Sequence, residues 1–177
     1  MWLINLVENL LSITRIENGS MELNIQGEIA EEVLDEAVRH INRRGKHQHI
    51  QVECEEILIA KMDVKLILQV LINLVDNAVK YTPEGGEIIL RAEEEAGKVL
   101  FSVRDNGEGL TKEQKEKIFD MYYTANNTVS DGRRGMGLGL PLCQSIIGAH
   151  GSSIKVYDNE PSGTVFCFAL EQEEIRL

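Results

Sequence analysis

The 177-residue sequence predicts an α/β protein in which helices are layered on a sheet. Segments with apolar residues at helical spacing alternate along the chain with short apolar runs of strand length. One pair of those runs flanks a Glu-rich turn containing Gly97, and the chain closes on two more, SIKVYD and GTVFCFAL. Hydrophobic residues at 43% and charged residues at 27% match a soluble globular protein, so one domain with room for an appendage is expected.

Taken in order, Leu3, Leu6, Leu10, Leu11 and Ile13 predict a helix over 2–17, stopped by Asn18-Gly19, whose apolar face wants a partner helix. A short extended stretch near Met21 to Ile25 follows. Ile29, Val33, Ala37 and Ile41 recur every four residues and predict a second helix ending at Gly45. HIQVEC and EILIAKM read as strands, and Asp63 is placed to cap the helix that contains LINLVDNAVKYTPEGG. From Gly85, GEIILRAEEEAGKVLFSVRDNGEG has the pattern of a hairpin. Thr111 with Gln114 three residues later is a capping-box arrangement opening a short helix. TANNTVSDGRRGMG lacks apolar periodicity and reads as a loop; helix resumes from about Leu138 to His150, before the two closing strands.

Lys and Arg total 18 against 29 Asp and Glu, and the resulting net charge of -11 repels nucleic acid and anionic membranes. A polyanionic ligand must therefore meet a local, organised site. Cys54, Cys143 and Cys167 are odd in number and lack CxxC spacing, which points to neither a disulfide framework nor a zinc site and suits a reducing compartment. There is no apolar run of about 18 residues, and the start lacks the basic segment and small-residue cleavage site of a signal peptide. The chain opens directly in a helical pattern, as a piece of a longer protein would.

Along the third helix, Val64, Leu68, Leu71, Ile72, Val75, Ala78 and Val79 fall on one side, and Asn73, Asp76, Asn77 and Lys80 on the other. The polar side suits plain solvent exposure. Yet exposed helix positions more often carry Glu, Lys or Gln, and two asparagines one turn apart also suit a polar pocket wall, where an amide oxygen can serve Mg²⁺ and a lysine a phosphate. DNGEGL, Asp105 to Leu110, follows a strand and is either a simple turn or a place where Asp105 accepts from a base amino group while Gly107 and Gly109 let backbone lie against the base. In GRRGMGLGLPLCQSII, Gly135, Gly137 and Gly139 run into a helix start, whose N–H groups suit phosphates; a dinucleotide fingerprint would need a preceding buried strand, and a polar loop stands there instead. Ser162-Gly163 before the last strand reads as a structural turn.

In this order the segments resemble the catalytic, ATP-binding domain of bacterial sensor histidine kinases, within the wider superfamily of gyrase, Hsp90 and MutL. NLVDNAVKYTP resembles the N box, DNGEGL the G1 box, KIFDMYY the F box, GMGLGL the G2 box and SGTVFCF the last glycine box, over roughly Gly27 to Leu170. VLINLVDNAVKY leans toward the Kdp-type potassium-responsive sensor kinases. The resemblance implies a Bergerat-type ATP-binding fold, a two-layer α/β (α+β) sandwich with a mixed sheet covered on one face by helices. Residues 1–20 would be the remnant of the second dimerisation helix and residues 21–177 the catalytic domain.

The resemblance also implies a reaction and a site. ATP would donate its γ-phosphate to a histidine on a dimerisation domain, with Asn73, Asn77 and Lys80 in catalytic roles and Asn77 as the ligand of Mg²⁺. Tyr81, Asp105, Gly107, Gly109, Tyr122, Arg133, Arg134, Gly135, Gly137, Leu138, Gly139, Leu140 and Thr164 would join Asn77 and Lys80 in holding the nucleotide. Asn73 stands where the superfamily's ATPases and the related anti-sigma serine kinases place a glutamate, so hydrolysis would lack its general base. Two positions depart from the family pattern: Thr124 stands where an arginine usually follows the paired aromatics, with Arg133 or Arg134 as substitutes or as solvated charges, and Met136 replaces a threonine. None of His40, His47, His49 and His150 is followed by an acidic residue as the family's acceptor is, so ATP binding without autophosphorylation is expected. The implied partners are the acceptor domain, a response regulator and a second copy of the parent, with no nucleic acid; the implied location is the cytoplasmic end of a protein anchored in the bacterial inner membrane. The alternative is a nucleotide-binding regulatory domain that has lost phosphotransfer.

Overall fold

The computed structural model describes residues 2–42, 47–123 and 138–175. Its elements run α1 (Trp2–Glu17), β1 (Gln26–Ile29), α2 (Ala30–Asn42), β2 (His49–Glu53), β3 (Ile59–Met62), α3 (Val64–Tyr81), β4 (Glu87–Glu95), β5 (Lys98–Asp105), α4 (Lys112–Lys117), α5 (Gly139–Ala149), β6 (Lys155–Asp158) and β7 (Thr164–Glu171). The fold is the α/β sandwich expected, a mixed sheet with helices on one face.

Five strands form the main sheet in the order β2-β4-β5-β7-β6, with β2 parallel to β4 and the rest antiparallel. Period-two alternation sends Ile88, Leu90 and Ala92 of β4, Val99, Phe101 and Val103 of β5, and Phe166, Phe168 and Leu170 of β7 into the core under α2 and α3. Phe101 and Phe168, opposite one another in the β5–β7 register, stack with centroids 5.3 Å apart. The other face carries Arg91, Glu93 and Arg104, all half-buried. The turn joining β4 and β5 takes Ala96 at φ 52° and Gly97 at φ 77°, the two positive values that a tight two-residue hairpin requires.

A second, two-stranded sheet pairs β1 with β3 from Gln26↔Met62 to Ile29↔Ile59. This corrects the sequence reading at two points: the strand starts at Gln26 rather than lying at 21–25, and Ile29 belongs to it rather than to the helix. The cause is cross-chain pairing, since Ile29 lies opposite Ile59 and the Ala30 N–H donates to Leu58 O at 2.9 Å, fixing the helix start at Ala30. The expected end at Gly45 lies outside the described residues.

α3 is the central helix, packed on α2, on α5 and on the sheet. Ile67, Val70, Leu71, Leu74, Val75, Ala78 and Val79 are buried, whereas Val64, Leu68 and Ile72 are only half-buried. Packing on several sides buries more of its circumference than the single apolar face drawn from the sequence. α1 rests one face on α5, burying Ile13 and partly Ile16, and leaves Leu3, Ile4, Val7, Leu10 and Leu11 exposed. Among the described residues no helix is long and apolar enough to cross a membrane.

Candidate active site

α3 carries Asn73, Asn77, Lys80 and Tyr81 of the predicted site residues, and both of its ends are tied. At the N-terminus Asp63 accepts from Leu66 N–H at 3.4 Å, as its cap position predicts, and its other oxygen accepts from Asn24 N–H at 3.1 Å. The Asp63 N–H donates to His150 Nε2 at 3.1 Å, so Nδ1 carries the ring proton and donates to Ile146 O at 2.7 Å. His150 is thus a packing and capping residue at the end of α5. At the C-terminus of α3, Gln48 Nε2 donates to Val79 O at 3.3 Å and Thr82 O at 2.9 Å. Those carbonyls would otherwise be orphans of the helix end.

Between these ties Asn77 is half-buried and Lys80 exposed, their side chains one turn apart or less on the polar stripe. Among the described residues Asn77 makes no side-chain hydrogen bond and its amide is not sealed from solvent, while Lys80 Nζ lies 5.2 Å from the centroid of the Tyr81 ring. Asn73 differs from them. Its amide nitrogen is buried without a hydrogen-bond partner, and it faces the start of α5, where a Cβ on Gly139 would sit 3.9 Å from Asn73 Cγ. The nearby Cys143 thiol donates to Val70 O at 3.7 Å; burial pushes it up to about 12, against the opposing effect of the Asn73 side chain, so it is an inert packing residue.

Asp105 ends β5, 6% exposed, in the turn that carries Gly107 and Gly109. Burial raises its carboxyl above the ordinary value, opposed by hydrogen bonds from the Gly107 and Thr164 N–H groups, the first at 3.0 Å. The glycines here answer to protein neighbours. A Cβ on Gly107 would collide with Tyr81 O, and one on Gly163, at φ 108°, would fall on the carbonyl of Asp105. A Cβ on Gly109, at φ 77°, would sit 3.1 Å from Gly163 O. The sequence left Gly107 and Gly109 between a simple turn and a ligand role; the packing gives each a reason inside the chain, because the end of α3 and the β6–β7 turn press on the loop from both sides.

The structure therefore joins Tyr81 to Gly107, Asp105 to Gly107, Gly163 and Thr164, Gly109 to Gly163, and Asn73 to Gly139. Leu138 is buried and Leu140 half-buried at the start of α5. Thr111 and Gln114 form the expected capping box at 3.1 and 2.9 Å, opening α4. Tyr122 is 59% exposed with φ 65°, an uncommon conformation for a bulky side chain, and it meets none of the other site residues in a hydrogen bond or ring contact among the described residues. Arg133, Arg134, Gly135 and Gly137, with Thr124 and Met136, lie outside the described residues.

Residues 62–174 match the family model described as histidine kinase-, DNA gyrase B-, and HSP90-like ATPase. The chain belongs to this family. Within the histidine kinase-, gyrase- and HSP90-like ATPases, it is similar to the sensor protein KdpD of Clostridium acetobutylicum, 39% identical over 97% of the chain and 19% of the relative. It is also similar to KdpD of Escherichia coli strain K12, 34% identical over 95% of the chain and 19% of the relative. The chain thus spans about a fifth of the length of these curated relatives. Among solved structures, full-length ShkA in complex with AMPPNP superposes with a TM-score of 0.85, at 26% identity, over 99% of this chain and 37% of that one. The nucleotide-free catalytic domain of the histidine kinase ThkA superposes at 0.72, at 32% identity, over 86% of this chain and 97% of that one.

Two residues at the site escaped the sequence reading. Gln48 precedes a strand by one residue, and nothing local marks it as the cap of a helix 31 positions away. Asn159 donates from Nδ2 to Asp105 O at 2.8 Å, and its sequence signal was only the turn-rich run Asp158-Asn159.

Proposed function

We propose that this chain is the ATP-binding catalytic domain of a sensor histidine kinase, which passes the γ-phosphoryl group of ATP to an imidazole nitrogen on a dimerisation domain. The reading is carried by Asp105, a buried carboxylate clasped by backbone donors in a glycine turn against the end of the helix that bears Asn77 and Lys80. In the transfer, the bond from the γ-phosphorus to the bridging oxygen breaks, a nitrogen–phosphorus bond forms and ADP leaves. The imidazole gives its proton to water or a base of its own domain.

In this reading Asp105 accepts from the adenine amino group in a site dry enough to strengthen that bond. Asn77 and Lys80 lie on the phosphate side, Tyr81, Tyr122, Leu138, Leu140 and Thr164 line the nucleotide, and Gly139 offers N–H groups of the α5 N-terminus to the phosphates. Gly135 and Gly137, with Arg133 or Arg134, are assigned to the phosphates from the sequence alone, since they lie outside the described residues. Mg²⁺ fits the donor set, since it takes few protein ligands beside phosphates, and Asn77 holds an uncommitted amide. When bound it would neutralise charge on the triphosphate. Asn73, with its buried amide nitrogen and no carboxylate, offers no base for attack by water, so the phosphoryl group is kept for the histidine.

The relatives named as sensor proteins support the same context. α1 is the end of a dimerisation helix, the parent is a homodimer anchored in the inner membrane, and its phosphorylated histidine serves a response regulator. The decisive experiment is calorimetric titration with a non-hydrolysable ATP analogue, with and without Mg²⁺, for wild type and Asn77→Ala, followed by addition of an acceptor domain and ATP. Mg²⁺-dependent binding weakened at least tenfold in Asn77→Ala, with phosphohistidine on the acceptor, is the expected result. Binding without transfer would favour a regulatory domain, and no binding by the folded protein would remove the nucleotide reading.

A further inference from the structure

We propose that Asn159 is a positioning residue that sets the specificity of the site for adenine by fixing the backbone from which the Asp105 carboxylate is aimed. The inference rests on the assignment of Asp105 as the group that reads the base. Asn159 lies in the turn between β6 and β7, half-buried, and each polar atom of its side chain is used: Nδ2 donates to Asp105 O at 2.8 Å, and Oδ1 accepts from Glu160 N–H at 3.0 Å. Its own N–H donates to Gly163 O at 3.0 Å, closing the turn.

That closed turn reaches Asp105 by three routes. Asn159 holds its carbonyl, Gly163 packs so tightly on its backbone that no Cβ fits, and the Thr164 N–H bonds its carboxylate. A donor that pins the carbonyl restrains the ψ torsion of Asp105, one of its two soft backbone torsions, and with it the placement of the Cα from which the carboxylate is carried. A hydrogen bond to a base amino group weakens steeply once its angle is lost, whereas contacts to a triphosphate, made by other elements, are not affected. The turn is itself anchored. Asp158, next to Asn159, meets Lys115 of α4 at 2.8 Å, so the turn has an attachment besides its bond to Asp105.

Among the described residues the Gly107 and Thr164 N–H groups support the charged form of the Asp105 carboxyl, whose burial acts against it, so its oxygens are held in part by the same turn that Asn159 closes. Replacing Asn159 by aspartate keeps the acceptor for Glu160 N–H but sets an oxygen against the Asp105 carbonyl in place of a donor. Replacing it by alanine or serine removes the tie without that repulsion.

The test measures dissociation constants for the Mg²⁺ complexes of a non-hydrolysable adenosine triphosphate analogue and its inosine counterpart, in which a carbonyl replaces the amino group. Wild type, Asn159→Ala, Asn159→Ser and Asn159→Asp are compared, with Asp105→Ala alone and combined with Asn159→Ala. The preference for adenosine over inosine is expected to fall about five- to tenfold in Asn159→Ala and Asn159→Ser and further in Asn159→Asp, while inosine affinity stays within about twofold. In the Asp105→Ala background, Asn159→Ala should leave the ratio unchanged. Parallel loss of both affinities, or an unchanged ratio in folded variants, would overturn the positioning role while leaving the nucleotide site standing. Wild-type protein that binds neither nucleotide would overturn the assignment of the site itself, and the positioning role with it.

Discussion

Asp63 gives the sharpest test of how α3 is held. Replacing it by alanine removes the acceptor for Leu66 N–H at the helix start and the acceptor for Asn24 N–H, at 3.4 and 3.1 Å, while the backbone bond to His150 stays possible. Loss of an N-cap acceptor costs about 1 kcal/mol, and the tie to Asn24, near the surface, adds about 0.5 to 1 kcal/mol. The sum is roughly 1.5 to 2 kcal/mol, which for a protein of this size lowers Tm by about 3 to 8 °C. Urea denaturation should show the midpoint falling with the slope unchanged, and hydrogen exchange should quicken at the Leu66 and Asn24 amides. Asp63→Asn, an equally good cap, should retain most of the stability. A loss below about 0.5 kcal/mol in Asp63→Ala, or an equal loss in both variants, would show that acceptor geometry is not what holds the helix start.

Other outcomes follow from single features. Ala96 occupies the first of two positive-φ turn positions, so Ala96→Asn should stabilise the protein by about 0.5 to 1 kcal/mol in urea denaturation, the strain of alanine in that conformation being relieved. Thiol titration with a disulfide reagent near pH 8 should label half-buried Cys54 first and spare Cys143, held at about 12 by burial, until denaturant releases all three. The folded state binds the Asp105 proton more tightly than the unfolded chain, because burial raises its carboxyl from 3.8; its contribution is fully present below that value and is lost as pH rises through the raised folded value. Stability measured against pH should therefore shift in favour of Asp105→Asn across that window and run parallel to wild type above it, and a shift in the opposite direction would refute the sign.

What the sequence disclosed was local. The Asp63 cap, the Thr111–Gln114 box and the hairpin turn containing Gly97 each depend on residues within a few positions of one another, and each is where turn and cap chemistry put it. What it concealed was remote. β1 begins at Gln26 because Met62 lies opposite, and Ile29 leaves the helix for a partner 30 residues on. The glycines at 107 and 163 were visible as glycines, but their reasons, the carbonyls of Tyr81 and Asp105, come from elsewhere in the chain. Asn73 shared a helix face with Asn77 on paper, and only the packing of α5 separates the two, sealing one amide and leaving the other uncommitted.

That separation bears on how a buried helix can also be a binding surface. α3 is pinned at its start by Asp63 and His150 and at its end by Gln48 and the Tyr81–Gly107 contact, with its middle closed by Leu71, Leu74 and Val75. None of these restraints uses the side chains of Asn77 or Lys80. A helix held by its own termini and its apolar side keeps Asn77 and Lys80 in place without committing their side chains, and groups positioned in this way are what a ligand meets at least entropic cost.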